Sequence, residues 1–252
     1  MPIDFNNLDK EFTQITGAQV FVEDIFQEKI ANYLKKGDSV ADVGCGYALI
    51  FRKLLKAVGE DGKLIGVDVA ISTLRKAGKL FKEAAGAENA SFVRATATHI
   101  PLKANSVDLS LCLNVLLLAP NISDNADELF IKELARITKK GGYVVVSFAN
   151  LVFVRLLNSI ALLTNPNLSG LASSDRPISD LSRTSRNGNL LYRSHSEKWA
   201  LSMFEKYGLK LIDTHKDFAD RIDLPSSYYS IDFLAEELKK TPLAYFFIAK
   251  KL

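Results

Sequence analysis

Cysteine is scarce in this 252-residue chain: Cys45 and Cys112 are the only two, and no Cys-x-x-Cys or Cys/His cluster accompanies them. A disulfide framework and a zinc site are therefore not expected, and a reducing, cytoplasmic setting fits. Charge of one sign is lacking as well. Thirty-two Lys and Arg against 29 Asp and Glu leave a net +3, too small an excess to imply nucleic-acid binding. The first residues, from Met1 to Asn7, have neither the basic residues nor the apolar run of a signal peptide. One apolar stretch, Tyr143 to Leu163, has the length of a membrane span. It is interrupted by Asn150, Arg155, Asn158 and Ser159 and begins as a strand, so no transmembrane segment is expected. Internal repeats and low-complexity tracts are absent. With 48% hydrophobic and 24% charged residues and a mean hydropathy near zero, the composition is that of a soluble globular protein with one substantial core.

What is present is a pair of segments. Val40-Ala-Asp-Val-Gly-Cys-Gly46 reads as a short buried strand ending in a glycine-rich turn. About twenty residues later, Leu64-Ile-Gly-Val-Asp68 reads as a second strand ending in a carboxylate. In such a βαβ unit the glycines let backbone approach a ligand closely, and the acid meets a ribose diol.

The flanking pattern predicts alternating helices and strands. Helices are expected over residues 19–36, 48–58, 71–85 and 126–140, the last ending at Lys139-Lys140-Gly141-Gly142 with cations at the negative end of the helix dipole. Strands are expected over 39–43, 64–67, 91–94, 107–113 and 143–148. Residues 150–193 break the pattern with an apolar stretch and then a loop rich in Ser, Asn, Arg and Pro. Ser194-His-Ser-Glu197 reads as a capping box opening another helix. Leu209–Thr214 is a sixth strand, 217–241 a polar insertion with a short helix, and Leu243–Ala249 closes the sheet. The expected fold class is α/β, a three-layer sandwich around a mostly parallel seven-stranded sheet. A single domain over 1–252 is expected, with cap elements at about 1–36, 150–193 and 217–241.

A dinucleotide fingerprint would place a third glycine where this chain has Leu49, which disfavours an NAD-dependent oxidoreductase. Asp42, two residues before the first glycine, sits badly against a pyrophosphate and suits a ligand with an ammonium group or cationic centre. On these residues the chain resembles the Rossmann-like, class I S-adenosylmethionine-dependent methyltransferases of the small-molecule branch, most clearly over about 35–150. The resemblance implies a sheet whose last strand is antiparallel, and S-adenosylmethionine as the methyl donor, with no metal. It implies that Asp42, Gly44, Cys45 and Gly46 lie along the methionine part and ribose, that Asp68 binds the ribose hydroxyls, and that Val69 lies beside the adenine. Arg94-Ala-Thr-Ala-Thr-His-Ile-Pro-Leu102 takes the place of the family's Gly-Asp-Ala-x-x-Leu-Pro-Phe segment. Val107-Asp-Leu-Ser-Leu-Cys-Leu-Asn114 and Leu134-Ala-Arg-Ile-Thr-Lys-Lys-Gly-Gly resemble two further family segments, with Asn114 near the methionine end.

Two departures stand out. The acid that usually receives the adenine amino group is Thr96, so the Thr96 hydroxyl and the Ala97 N–H are left to hold the base. One neutral hydrogen bond contributes about 0.5–1.5 kcal/mol net, so weakened binding is expected rather than lost binding. The last glycine of the turn is Ala48. Plainer roles remain for several positions: Asp68 as a helix cap, Cys45 as a small buried filler, His195 as part of a capped helix turn, His99 as a contact rather than a catalyst. Arg176, Arg183, Arg186 and Arg193 fall in one loop, either solvated or a lid for an anionic substrate.

The expected chemistry is methyl transfer to an oxygen, nitrogen or carbon of a small, apolar or anionic molecule, by alignment and exclusion of water. No general base is assigned, because Asn114-Val-Leu-Leu-Leu118 at the methyl end is apolar. The same stretch lacks the Asn/Asp-Pro-Pro-Tyr of enzymes that methylate base amines or glutamine. A non-catalytic binding module stays open, as does peripheral contact with a membrane surface.

Overall fold

The computed structural model describes residues 29–85, 89–152, 156, 176–179, 182–187, 190–218, 236–237 and 239–252. Strands β1 (Ser39–Val43), β2 (Lys63–Asp68), β3 (Ala90–Arg94), β4 (Val107–Cys112) and β5 (Thr138–Ala149) alternate with α1 (Phe51–Val58), α2 (Ile71–Ala85) and α3 (Ala126–Ile137). Next come β6 (Arg176–Ser179), β7 (Ser182–Asn187), β8 (Leu190–His195), α4 (Glu197–Lys206), β9 (Leu209–Phe218) and β10 (Pro242–Lys251). The main sheet has the order β3-β2-β1-β4-β5-β10-β9. All neighbours from β3 to β5 pair parallel, and β10 runs antiparallel to both β5 and β9.

Pleating sorts the strand residues into two cores. Val144, Val146, Phe148 and Phe247 face α3 and α4, meeting Phe130, Leu134, Ala200 and Phe204. Val145, Phe246 and Ile248 face the other layer, with Phe51, Leu54 and Val58 of α1 and Leu74, Ala77 and Phe81 of α2. In α1 the spacing of three and four residues between its apolar positions makes a single stripe that the sheet buries. Burying both faces of β4 and β5 accounts for their near-continuous Val/Leu runs.

Several elements differ from the sequence expectation. Helix α3 stops at Ile137, because Thr138 turns to extended backbone and its hydroxyl donates to the Leu134 carbonyl at 2.7 Å. Lys139-Lys140-Gly141-Gly142 therefore opens β5 rather than closing a helix. Lys139 reaches Asp108 at 2.8 Å. The Arg-rich stretch expected as a loop contains β6, β7 and β8, paired antiparallel as a second sheet. This part of the chain thus includes β-structure, beyond the helix and loop foreseen. Ser196, not Ser194, caps α4, accepting the Trp199 N–H at 3.2 Å. His195 accordingly ends β8, where it bridges in parallel to Asn150. The helix expected over 19–36 lies mostly outside the described residues; its described end is a 3-10 turn, Ile30–Tyr33. Apart from Leu156, the apolar stretch beyond Val152 lies outside them too, as does all of 219–235. Among the described residues no helix is long and apolar enough to cross a membrane.

Candidate functional site

In a doubly wound sheet ligands bind at the carboxyl ends of the strands, where the order reverses. Here the reversal falls at β1, between β2 and β4. The backbone leaving β1 is fastened to β2: the N–H groups of Gly44 and Cys45 both donate to the Val67 carbonyl, at 2.7 and 3.1 Å. Gly44 has φ +80°, and a Cβ built there would lie 2.2 Å from Val115 Cγ2. Gly46, at φ +52°, faces open space. One glycine is required by packing, and the other leaves room above the turn.

Asp68 closes this turn from the end of β2. Its Oδ2 accepts the Gly46 N–H at 3.0 Å, and its Oδ1 accepts the Ala70 N–H at 2.9 Å, just before α2. The capping role and the ligand-end position therefore coincide in one carboxylate. The loop after β3 is tied to the same end. Ala95 donates to the Asp68 carbonyl at 3.0 Å, and Arg94 Nε donates to the Val69 carbonyl at 3.2 Å. Thr96 and Ala97 are brought beside Asp68 and Val69 in this way.

Asp42 lies beneath the turn at 5% exposure. Burial, and then the charge of Asp68, push its carboxyl up to about 7. The two acids sit together at one end of β1 and β2, a setting that favours a cationic ligand. Cys45 is also buried; burial, Asp42 and Asp68 raise its thiol, so it is a packing residue and not a nucleophile.

At the end of β4, Asn114 takes φ +58°. Its N–H donates to Ser147 Oγ at 2.7 Å, and that hydroxyl lies 3.3 Å from Asn114 Oδ1. Val115 packs on Gly44 and Leu116 is fully buried. The apolar run after Asn114 therefore turns into the core as the 3-10 turn Leu116–Asn121. Ala48 adopts φ +55°, a conformation that costs a side-chain-bearing residue about 1–2 kcal/mol. A glycine would be at ease there.

Sequence reasoning missed the residues that hold these parts in place. Ser147 was detectable only as a hydroxyl inside an apolar strand. Glu133 accepts the Ile100 N–H at 2.7 Å, while Arg136 donates to the Leu102 and Ile100 carbonyls, both at 2.7 Å. This pair on α3 clamps the loop that carries Thr96. Arg193, which the sequence left either solvated or in a lid for an anionic substrate, is only 2% exposed and bonds Asp127 and the Asp124 carbonyl. His195 is fully buried and stacked on Trp199 with centroids 3.6 Å apart; burial and then Arg193 hold its imidazole down at about 3. Neither residue is available to a substrate. An open depression lined by Glu60, Gly62, Lys63, Asn89 and Ser91 lies at the opposite, amino-terminal ends of β2 and β3, away from these groups. Among the described residues no cluster of three metal-ligating side chains occurs.

Comparison with known proteins meets this geometry. Residues 40–142 match the methyltransferase domain family. A demethylmenaquinone methyltransferase of Geobacillus stearothermophilus is 33% identical over 112 residues, which is 44% of this chain and 45% of that protein. The chain thus spans about half the length of the curated relatives it matches. Among solved structures, a SAM-dependent methyltransferase from Methanosarcina mazei superimposes with a TM-score of 0.63 at 18% identity, covering 89% of this chain and 97% of that one. Magnesium protoporphyrin IX methyltransferase from Synechocystis PCC 6803, with bound SAH, gives 0.61 at 16% identity over 94% and 84%. At such identities the likeness is one of fold.

Proposed function

We propose that the chain, whose residues 40–142 match the methyltransferase domain family, is a class I, S-adenosylmethionine-dependent enzyme that transfers a methyl group to a small-molecule oxygen, nitrogen or carbon. The observation that carries the proposal is the Asp68 carboxylate fastened to the Gly46 N–H at the mouth of the β1 turn. It couples the acid that would take the ribose hydroxyls to the backbone that would lie along the ligand.

The residues present fit the donor. Gly46 leaves open space where a Cβ would stand, and Asp68, joined by buried Asp42 as it ionises, would supply negative charge for a cation. When bound, S-adenosylmethionine supplies a methyl group on a sulfonium, an electrophile whose leaving group is neutral. The chain's part is then to orient and to keep water out, contributions that together reach about 7–11 kcal/mol. Asp68 would hold the ribose, Val69 and the Thr96–Ala97 turn the base, and Asp42, Gly44, Cys45 and Asn114 the methionine end. No residue is assigned as a general base, since the acceptor's own acidity decides whether one is needed. Small quinone-like or other apolar acceptors are the substrate class in view, drawn from the demethylmenaquinone relatives.

Titration calorimetry with S-adenosylhomocysteine tests the proposal. Asp68→Asn and Asp68→Ala should weaken binding by tenfold or more, since hydrogen bonds to a charged group are each worth about 1.5–3 kcal/mol. Unchanged affinity in folded variants, or no binding by the wild type, overturns it.

A further inference from the structure

Three side chains in the turn after β3 form a relay. The Thr96 and Thr98 hydroxyls are hydrogen-bonded to each other, and Thr98 Oγ1 lies 3.0 Å from His99 Nδ1. Thr96 Oγ1 also accepts the Thr98 N–H at 3.1 Å, and the His99 N–H donates to the Thr96 carbonyl at 3.1 Å, closing the turn. Thr98 is buried while the imidazole is exposed. The backbone of the loop is held separately, by Glu133 and Arg136 of α3.

Counting protons along this relay gives two arrangements. When Nδ1 carries no proton, it needs a donor, and the Thr98 hydroxyl supplies it. Thr98 then accepts from the Thr96 hydroxyl, whose proton is spent inward. Thr96 is left presenting a lone pair outward. When Nδ1 carries a proton, it donates to Thr98, whose own proton turns to Thr96. Thr96 now accepts twice from within the loop, and its own proton points out. The same oxygen therefore faces a ligand as an acceptor in one state and as a donor in the other.

We propose that Thr98 and His99 are specificity-determining residues that set, through Thr96, the hydrogen-bond polarity with which this loop reads the base edge. The relay with a neutral imidazole in its Nε2–H tautomer matches an exocyclic amino group, as in adenine, and the relay with an imidazolium matches a carbonyl oxygen, as in hypoxanthine. The inference rests on the placement of the base at Thr96 given above. Glu133 is the charged group of α3 that interacts with the imidazole. Burial opposes ionisation of Glu133, but Arg136, the Ile100 N–H and His99 together hold its carboxyl below the usual range.

The test compares S-adenosylhomocysteine with its inosine counterpart, in which the 6-amino group is replaced by oxygen. Calorimetry on the full chain from about pH 5 to about pH 8 spans the range in which imidazoles charge. The ratio of the two affinities cancels everything the ligands share, including any effect of Asp42. In the wild type the preference for the adenine ligand should grow about two- to tenfold as the pH rises, the range of one neutral hydrogen bond. His99→Ala and Thr98→Val should each make the ratio independent of pH, with melting temperature verifying their fold. A flat wild-type ratio, or a slope that survives His99→Ala, overturns the relay while leaving the methyl-donor site standing. Absence of binding by both ligands to folded wild type overturns the underlying placement instead.

Discussion

Arg193 crosses from the small antiparallel sheet into the core and sets Nη1 2.9 Å from Asp127 Oδ2. Both side chains are almost wholly buried, at 2% and 8% exposure. The pair fixes β8 to the first turn of α3, and so fixes one edge of the small sheet beside the Leu116–Asn121 turn. Removing one partner leaves the other charge buried and unpaired. Arg193→Met or Asp127→Ala should therefore each lower unfolding stability by about 3–5 kcal/mol, with the double variant losing less than the sum. Urea denaturation checks this, and single variants indistinguishable from wild type would show the pair to be dispensable.

The two turn glycines should fail differently. Gly44→Ala forces a Cβ against Val115 at a positive φ, so folding should suffer first, with partial rescue by Val115→Ala. Gly46→Ala meets nothing in the protein. It should cost about 1–2 kcal/mol for the left-handed backbone and, beyond that, weaken S-adenosylhomocysteine binding. Melting curves and calorimetry on both variants separate the two effects; equal loss of affinity at equal stability would contradict the distinction.

Asp42 should make stability fall as the pH rises. Burial and Asp68 raise its carboxyl to about 7 in the folded chain, from an ordinary value of 3.8. Between those values the folded state keeps a proton that the unfolded state releases, so stability is lost as the pH climbs through the window and does not return above it. Asp42→Asn should melt higher than wild type at about pH 8, with the difference shrinking towards about pH 5. A cationic sulfonium ligand should also gain over its neutral thioether product as Asp42 ionises, and that gain should vanish in the variant. A melting difference that does not change with pH would remove Asp42 from this role.

Where the physics is local, the order of amino acids was enough. Val40–Gly46 and Leu64–Asp68 could be read as strand, turn and acid because the apolar run, the side-chain-free positions and the carboxylate lie within a few bonds of the backbone they shape. The alternation of strands with amphipathic helices likewise carried the layered α/β class. Boundaries were less legible: whether Lys139–Gly142 ends a helix or begins a strand depended on Thr138 finding the Leu134 carbonyl and Ser110.

How distant segments meet depends on the assembled fold. Arg193 and Asp127 are 66 residues apart, and Asn114 and Ser147 are 33 apart. An arginine in a polar stretch looks the same in sequence whether it waits for a substrate or neutralises a buried acid. Similarly, Thr96, Thr98 and His99 are near neighbours, but only the turn that folds them together, braced by Glu133 and Arg136 from another layer, aligns their hydroxyl and imidazole groups. Pairing of this kind follows from which surfaces the sheet order brings into contact. No local pattern of hydrophobicity or charge encodes it.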